Sequence, residues 1–294
     1  AGIVIASSDK VAKVLAVTHG ARVKLGGGER LMDDAEKLAE LAERSPTYHD
    51  FVAAIIRAEL ESSVRIGKRA SEFLRASGAG VVNMSWGWRA DRKASRAAEL
   101  REIYKDHGPS PETIAAGYLG SGSTRALADE GIEIMAARAA HFALIFYNNP
   151  NVLFVLAAGN EGENNDTAIY PPQSFSRIFQ NVVSVASVDG DGDLSDFSNY
   201  GRASVQIAAP GEGIRSAYAG GFDGVMDGTS MAAPNVAGAA AAMRVAAPSL
   251  TAKDVARALF SATDRKPELR EKITSGGVVN LARAKKMAAN WSPI

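Results

Sequence analysis

Cysteine is missing from all 294 residues, which excludes a disulfide framework, thiol catalysis and cysteine-ligated zinc. Net charge is missing too. Lys and Arg total 33 against 33 Asp and Glu, so charge recommends neither a nucleic acid nor an anionic membrane as partner. No stretch approaches the roughly 20 uninterrupted apolar residues of a bilayer span. The opening "AGIVIASSDKVAKVLAV" has neither the basic start nor the cleavage site of a secretory leader, so it carries no recognisable address. Internal repeats and low-complexity linkers are lacking as well. What is there is 46% hydrophobic residues, enough at this length for one large α/β domain with insertions around a substantial core.

Periodicity divides the chain. "AGIVIA" reads as a short apolar segment and "KVLAVTHGARVKL" as a strand stopped by "GGG". From residue 29 to 75 apolar residues recur at helical spacing with charges between them, predicting two amphipathic helices, the second long, with a solvated charged face. "GVVNMSWG" is a glycine-bounded β-branched run, and the polar, turn-rich stretch after it reads as an inserted excursion. A helix over "GIEIMAARAAHFALIFYNNP" then leads to three buried strand signals, "NVLFVLAAGNEG", "NVVSVASV" and "VQIAAPG". Two more helices around a short extended piece close the chain. Strands alternating with helices predict an α/β fold whose mostly parallel sheet is flanked by helices on both faces.

One segment carries chemistry. "DGTSMAAPNVAG" puts Ser230 at the start of an Ala/Gly-rich helix, where free N–H groups and the positive dipole end suit a developing oxyanion. Gly228 allows close backbone approach, and Pro234 sits near enough to the first turn for its missing N–H not to break the helix. Ligands of parallel sheets sit at the carboxyl ends of strands, so residues after "VVN" and "LAAGN" can share a crevice with Ser230, and Asn160 can add a side-chain donor. That arrangement suits acyl transfer.

With "GTSMAAPNVAG", "VLFVLAAGNEG", "VVNMSWG", "FSNYGRASVQIAAPGEGI" and "GGVVNLARA" in this order, the sequence resembles the subtilisin-like serine peptidases, the subtilases. The resemblance implies a single catalytic domain over residues 1–294, with insertions near 26–50 and 89–128. It implies Ser230 as nucleophile and Asn160 as oxyanion donor. Ser85, Trp86 and Gly87 on one strand and Ala157, Ala158 and Gly159 on another would border a polypeptide substrate held in extended form. No cofactor and no metal site are implied. Most relatives act outside the cytoplasm. Trp86 is bulkier than the usual occupant of its strand, and Asn235 replaces the histidine of the family's "APHVAG", which is not a triad position.

The larger departure is at the other end. "AGIVIA" looks like the last residues of the family's "HGTHVAGI" motif, which puts the catalytic histidine, and the aspartate before it, outside the sequence. Ser230 would then need a complementary N-terminal segment to supply both. None of the four histidines is an obvious substitute: His19 and His49 imitate histidine motifs out of order, His107 lies in the excursion and His141 in an apolar helix. Two rival readings follow. One is a non-catalytic peptide- or protein-binding module on a subtilase fold; the other is a hydrolase that has recruited His49 or His19. The acidic "SVDGDGDLSDFS" lacks the spacing of a helical calcium loop and reads as a turn.

Overall fold

The computed structural model describes residues 3–6, 12–15, 34–87, 95–107, 124–167, 170–218 and 222–290. Its chain divides into two compact units, one from residues 1–23, 72–88 and 146–294, the other from 24–71 and 89–145.

The first unit is built on a six-stranded sheet. Strands β3 (Val81–Met84), β4 (Leu153–Ala157), β5 (Val182–Val188) and β6 (Ile207–Pro210) run parallel in that spatial order. β10 (Gly277–Val279) joins β6 in parallel, and β9 (Thr263–Arg265) closes the far edge antiparallel to β10. Two antiparallel pairs stand outside this ladder: β1 (Ile3–Ala6) with β2 (Ala12–Leu15), and β7 (Ile214–Tyr218) with β8 (Phe222–Met226). β4 and β5 are buried at every position, which is why their sequences are continuous apolar runs rather than alternating ones.

Alternation appears instead in what each face meets. Leu153, Val155 and Ala157 share a core with the small residues of helix α5 (Thr229–Ala246), with α6 (Ala252–Ser261) and with Ala284 and Ala288 of α7 (Leu281–Ala289). On the opposite face Phe154 packs on Phe146, ring centroids 4.7 Å apart, and Phe146 meets Phe175 and Phe179. Ala158, Ala186, Val205, Leu269 and Ile273 form a further core. Both faces of the sheet are covered. Alanines at 232, 233, 237 and 240 bring the α5 backbone close to the strands, as a helix lying flat on a sheet requires.

The second unit has its own core. Helices α1 (Ala35–Glu43), the first part of α2 (Tyr48–Ser77), α3 (Ser95–His107) and most of α4 (Thr124–Asn148) belong to it. Leu38, Phe51 and Ile55 pack with Leu100, Tyr104 and Ile134, and the Tyr104 hydroxyl donates to the Ser45 carbonyl at 2.8 Å. Part of the supposed excursion is therefore the helix α3. Its flanking residues 88–94 and 108–123 lie outside the described residues. The charged helices of 35–77 also do more than face solvent, since their apolar stripe meets α3.

Candidate active site

Helix α5 starts in an unusual way. Its cap, Gly228, has φ 147°, a region costly for any residue with a Cβ, and provides no capping side chain. The cap comes from β4's loop instead. Asn160 Oδ1 accepts the Thr229 N–H at 2.9 Å and the Thr229 hydroxyl at 2.8 Å. Met231 and Ala232 N–H both reach the Gly228 carbonyl. That leaves the Ser230 N–H as the first-turn donor without a partner among the described residues. Because two donors hold Asn160 Oδ1, the orientation of its amide is determined and Nδ2 is the end left free. Nδ2 lies beside Gly228, 3.4 Å from where a Cβ there would stand. Two uncommitted donors thus flank the serine.

Pro234 contributes indirectly. In a regular helix its N–H would bond the Ser230 carbonyl, and proline has none. Ser85 Oγ donates to that carbonyl at 3.0 Å instead, while Asn83 Nδ2 donates to Ser85 Oγ at 3.0 Å. The missing bond is replaced by the residue that follows β3. Ser230 Oγ in turn donates to the Ser85 carbonyl at 3.2 Å, so helix and strand end are cross-tied in both directions.

These groups border a cleft of about 200 Å³ lined by Ser85, Trp86, Gly87, Ala157, Gly159, Asn160 and Ser230, with Glu161, Tyr170, Gln173 and Thr229. Of the eight residues expected from the resemblance to act in catalysis or border the substrate, Ala158 alone is outside this lining. It is fully buried, and its carbonyl accepts Asn165 Nδ2 and Asn199 Nδ2 beneath the cleft. Three supporting residues were not singled out from sequence: Gln173, which lies in none of the quoted motifs, and Asn199 and Glu161, which lie in two of them. Gln173 Nε2 bridges the Ala157 carbonyl (2.7 Å) and the Trp86 carbonyl (3.2 Å), tying the two walls together. Its amide lies so close to Gly87 that a Cβ there would come within 2.3 Å of it. Asn199, fully buried, holds the loop after β4 through Glu161 N–H, Glu163 N–H and the Glu161 carboxylate. Glu161 Oε2 accepts the Asn160 N–H at 3.0 Å.

The first unit holds no histidine among its described residues. His49 and His107 are exposed and His141 is buried, its ring 3.8 Å from that of Phe142, all in the second unit. His19 lies outside the described residues. The "SVDGDGDLSDFS" segment forms a turn in which Asp189 Oδ1 accepts the N–H groups of Asp191 and Asp193, and no group of three His, Cys, Asp or Glu side chains that could hold a metal occurs among the described residues. No described helix is long and apolar enough to cross a membrane.

Fold and cleft together define a parallel α/β protein with a serine at a helix N-terminus, faced by a side-chain amide across the ends of two strands. The chain belongs to the Subtilase family (Peptidase_S8), whose sequence model matches residues 1–281. It is 33% identical over 160 residues to Subtilisin Savinase of Lederbergia lenta, a match covering 48% of this chain and 56% of that protein. It is 40% identical over 94 residues to Subtilisin-like protease 2 of Plasmodium falciparum, covering 32% of this chain and 7% of that protein. These matches span little more than half of the relatives' length at most. Among solved structures, a protease from Pseudoalteromonas arctica superposes with TM-score 0.50 at 25% identity over 76% of this chain and 58% of that one. A chain of the subtilase cytotoxin SubAB superposes with TM-score 0.52 at 23% identity, over 78% of this chain and 65% of that one.

Proposed function

We propose that the chain carries the nucleophile and oxyanion half of a serine endopeptidase site. Ser230 Oγ attacks the scissile carbonyl of an extended polypeptide, forming the Oγ–C bond while its proton passes to a general base. The carbonyl oxygen becomes an oxyanion between Asn160 Nδ2 and the Ser230 N–H. Collapse breaks the C–N bond, the base returns its proton to the leaving amine, and water then releases the acyl group by the same route. Trp86, Ala157 and Gly159 border the side chain next to the bond. Base and orienting acid come from outside the described residues, as in a complementary segment bearing the family's aspartate and histidine motifs. The second unit is an insertion into this domain, since both of its segments interrupt the first unit on either side of β3.

The observation that carries the reading is Thr229 holding Asn160 Oδ1 through both its N–H and its hydroxyl. That hold aims a free N–H pair, rather than an acceptor, at the neighbourhood of Ser230. Peptide aldehydes test it, because a hemiacetal with Ser230 forms at equilibrium whether or not a base speeds it. An aldehyde should bind at least about tenfold tighter than the matching alcohol, roughly the gain from one extra charge-assisted contact. The difference should vanish in Ser230→Ala. Equal binding of aldehyde and alcohol by the wild type would instead favour the peptide-binding module, a reading to which the Ser230 Oγ bond to a carbonyl that cannot take its proton lends some support.

A further inference from the structure

A second cleft in the first unit shares no residue with the serine cleft. It lies by β9, four strand spacings from β4, or about 19 Å along the sheet. It encloses about 500 Å³ and is lined by Arg202, Arg265, Lys266 and Arg270, with the hydroxyls of Thr274 and Ser275.

The local sequence explains why the cations converge. "DRKPELREK" follows helix α6, and in β9 Thr263 is buried while Asp264 and Arg265 face outward. Pro267 opens a short 3₁₀ turn, Pro267–Leu269, whose Leu269 is fully buried. Lys266 and Arg270 flank this anchored turn and are positioned by it. Arg202 comes from the turn after Gly201, which the Gly201 N–H ties to the Lys272 carbonyl at 2.8 Å.

Charge is not balanced there. Arg202 pairs with Glu271 at 2.9 Å, and Lys266 Nζ donates to the Asp191 carbonyl at 2.5 Å. Arg265 and Arg270 have no side-chain partner among the described residues. No carboxylate is among the lining residues. Of the nearby acids, Glu271 is held by Arg202, Asp264 is held by Arg283 at 2.8 Å, Glu268 lies on the 3₁₀ turn, and Asp189, Asp191 and Asp193 belong to the turn that Lys266 reaches, where Asp189 accepts two backbone N–H groups. Arg265 and Arg270 are thus the cations of this concavity without a partner among the described residues, and an anion between them relieves their repulsion. Guanidinium forks suit oxyanions in bidentate geometry. Ser275 Oγ makes only a long 3.3 Å bond to the Gly277 carbonyl, so it can turn to a ligand. The volume falls within the roughly 300–1,000 Å³ of small-molecule sites.

We propose that this cleft binds a small multivalent oxyanion, of phosphoryl or polycarboxylate type, through Arg265 and Arg270. The site is independent of the serine chemistry, so Ser230→Ala should leave it intact. Calorimetric titration of the 294-residue chain with inorganic pyrophosphate and, separately, citrate tests it at low and at physiological ionic strength. Saturable one-to-one binding of at least one anion is expected. Tighter pyrophosphate would identify the phosphoryl type and tighter citrate the polycarboxylate type. Arg265→Gln and Arg270→Gln should each weaken binding at least about tenfold, the loss of one charge-assisted contact. Arg215→Gln, on the β7–β8 hairpin and paired with Asp223, should not. All three arginines are exposed, so the variants should fold, and thermal melts check this. Absence of saturation by either anion, or an equal loss in Arg215→Gln, would overturn the proposal.

Discussion

At the scale of single residues, the side chains beside the serine decide what it can do. Asn160→Ala removes one of the two free donors and should slow phosphonylation of Ser230 by a fluorophosphonate about 10²–10³-fold, the usual cost of one oxyanion donor. Thr229→Val keeps the backbone bond to Asn160 Oδ1 but deletes the hydroxyl's donation to Asn160 and its acceptance of the Gly159 N–H, so its effect should be about ten- to thirtyfold, in line with about 1 kcal/mol for each neutral hydrogen bond. A larger loss in Thr229→Val than in Asn160→Ala would contradict this order. Ser85 has a separate, structural consequence. Ser85→Ala leaves the Ser230 carbonyl without a donor and should cost about 1–3 kcal/mol in urea denaturation. Pro234→Ala restores an intrahelical N–H for the same carbonyl. In a double-mutant cycle it should therefore recover part of that loss, whereas strict additivity would mean that the two residues do not share this acceptor.

At the scale of elements, helix α6 offers a pH-dependent test. Thr251 and Asp254 form a capping box: Thr251 Oγ1 accepts the Asp254 N–H, and the Asp254 carboxylate accepts the Thr251 hydroxyl at 2.6 Å and its N–H at 3.1 Å. The Thr251 hydroxyl holds the Asp254 carboxyl below its ordinary value. A carboxyl lowered by folding stabilises the folded state above its unfolded pKa of roughly 3.9 and loses that contribution as pH falls through the folded value. Thr251→Ala should thus cost about 1 kcal/mol at neutral pH. The gap in melting temperature from wild type should narrow below about pH 4, and a gap that widens in acid would contradict the sign. Helix α5 is sensitive to volume instead. Ala237 and Ala240 are fully buried in the sheet core, so Ala240→Leu should destabilise by about 1–3 kcal/mol through overpacking.

At the scale of the whole molecule, burial decided what could be read in advance. β4, β5 and β6 were legible because strands covered on both faces must be apolar throughout. Helix α5 was legible as an Ala-rich run behind a serine motif. The β7–β8 hairpin was not, because Arg215, Ser216, Asp223 and Val225 are exposed and solvent imposes no pattern. Helix α3 was hidden by polar flanks, only Leu100 and Tyr104 being buried among the side chains described in it. In the candidate site, Ser230 and Asn160 stand in motifs that survive as contiguous strings. The contacts that support them are not contiguous: Asn160 meets Thr229 across 69 positions, Gln173 reaches Trp86 across 87 and Asn199 reaches Glu161 across 38. Such contacts are set by the sheet order, which no single stretch of sequence contains.

The most direct measurement is the rate of fluorophosphonate labelling of the 294-residue chain with and without added imidazole, the modified residue being located by mass spectrometry. On the proposed reading Ser230, with no histidine beside it among the described residues, should label slowly alone and faster with imidazole, at Ser230 and nowhere in Ser230→Ala. Fast labelling without imidazole that is lost in His49→Ala or His19→Ala would place the base within this chain. A folded sample that stays unlabelled at Ser230 even with imidazole would contradict the assignment of the nucleophile itself.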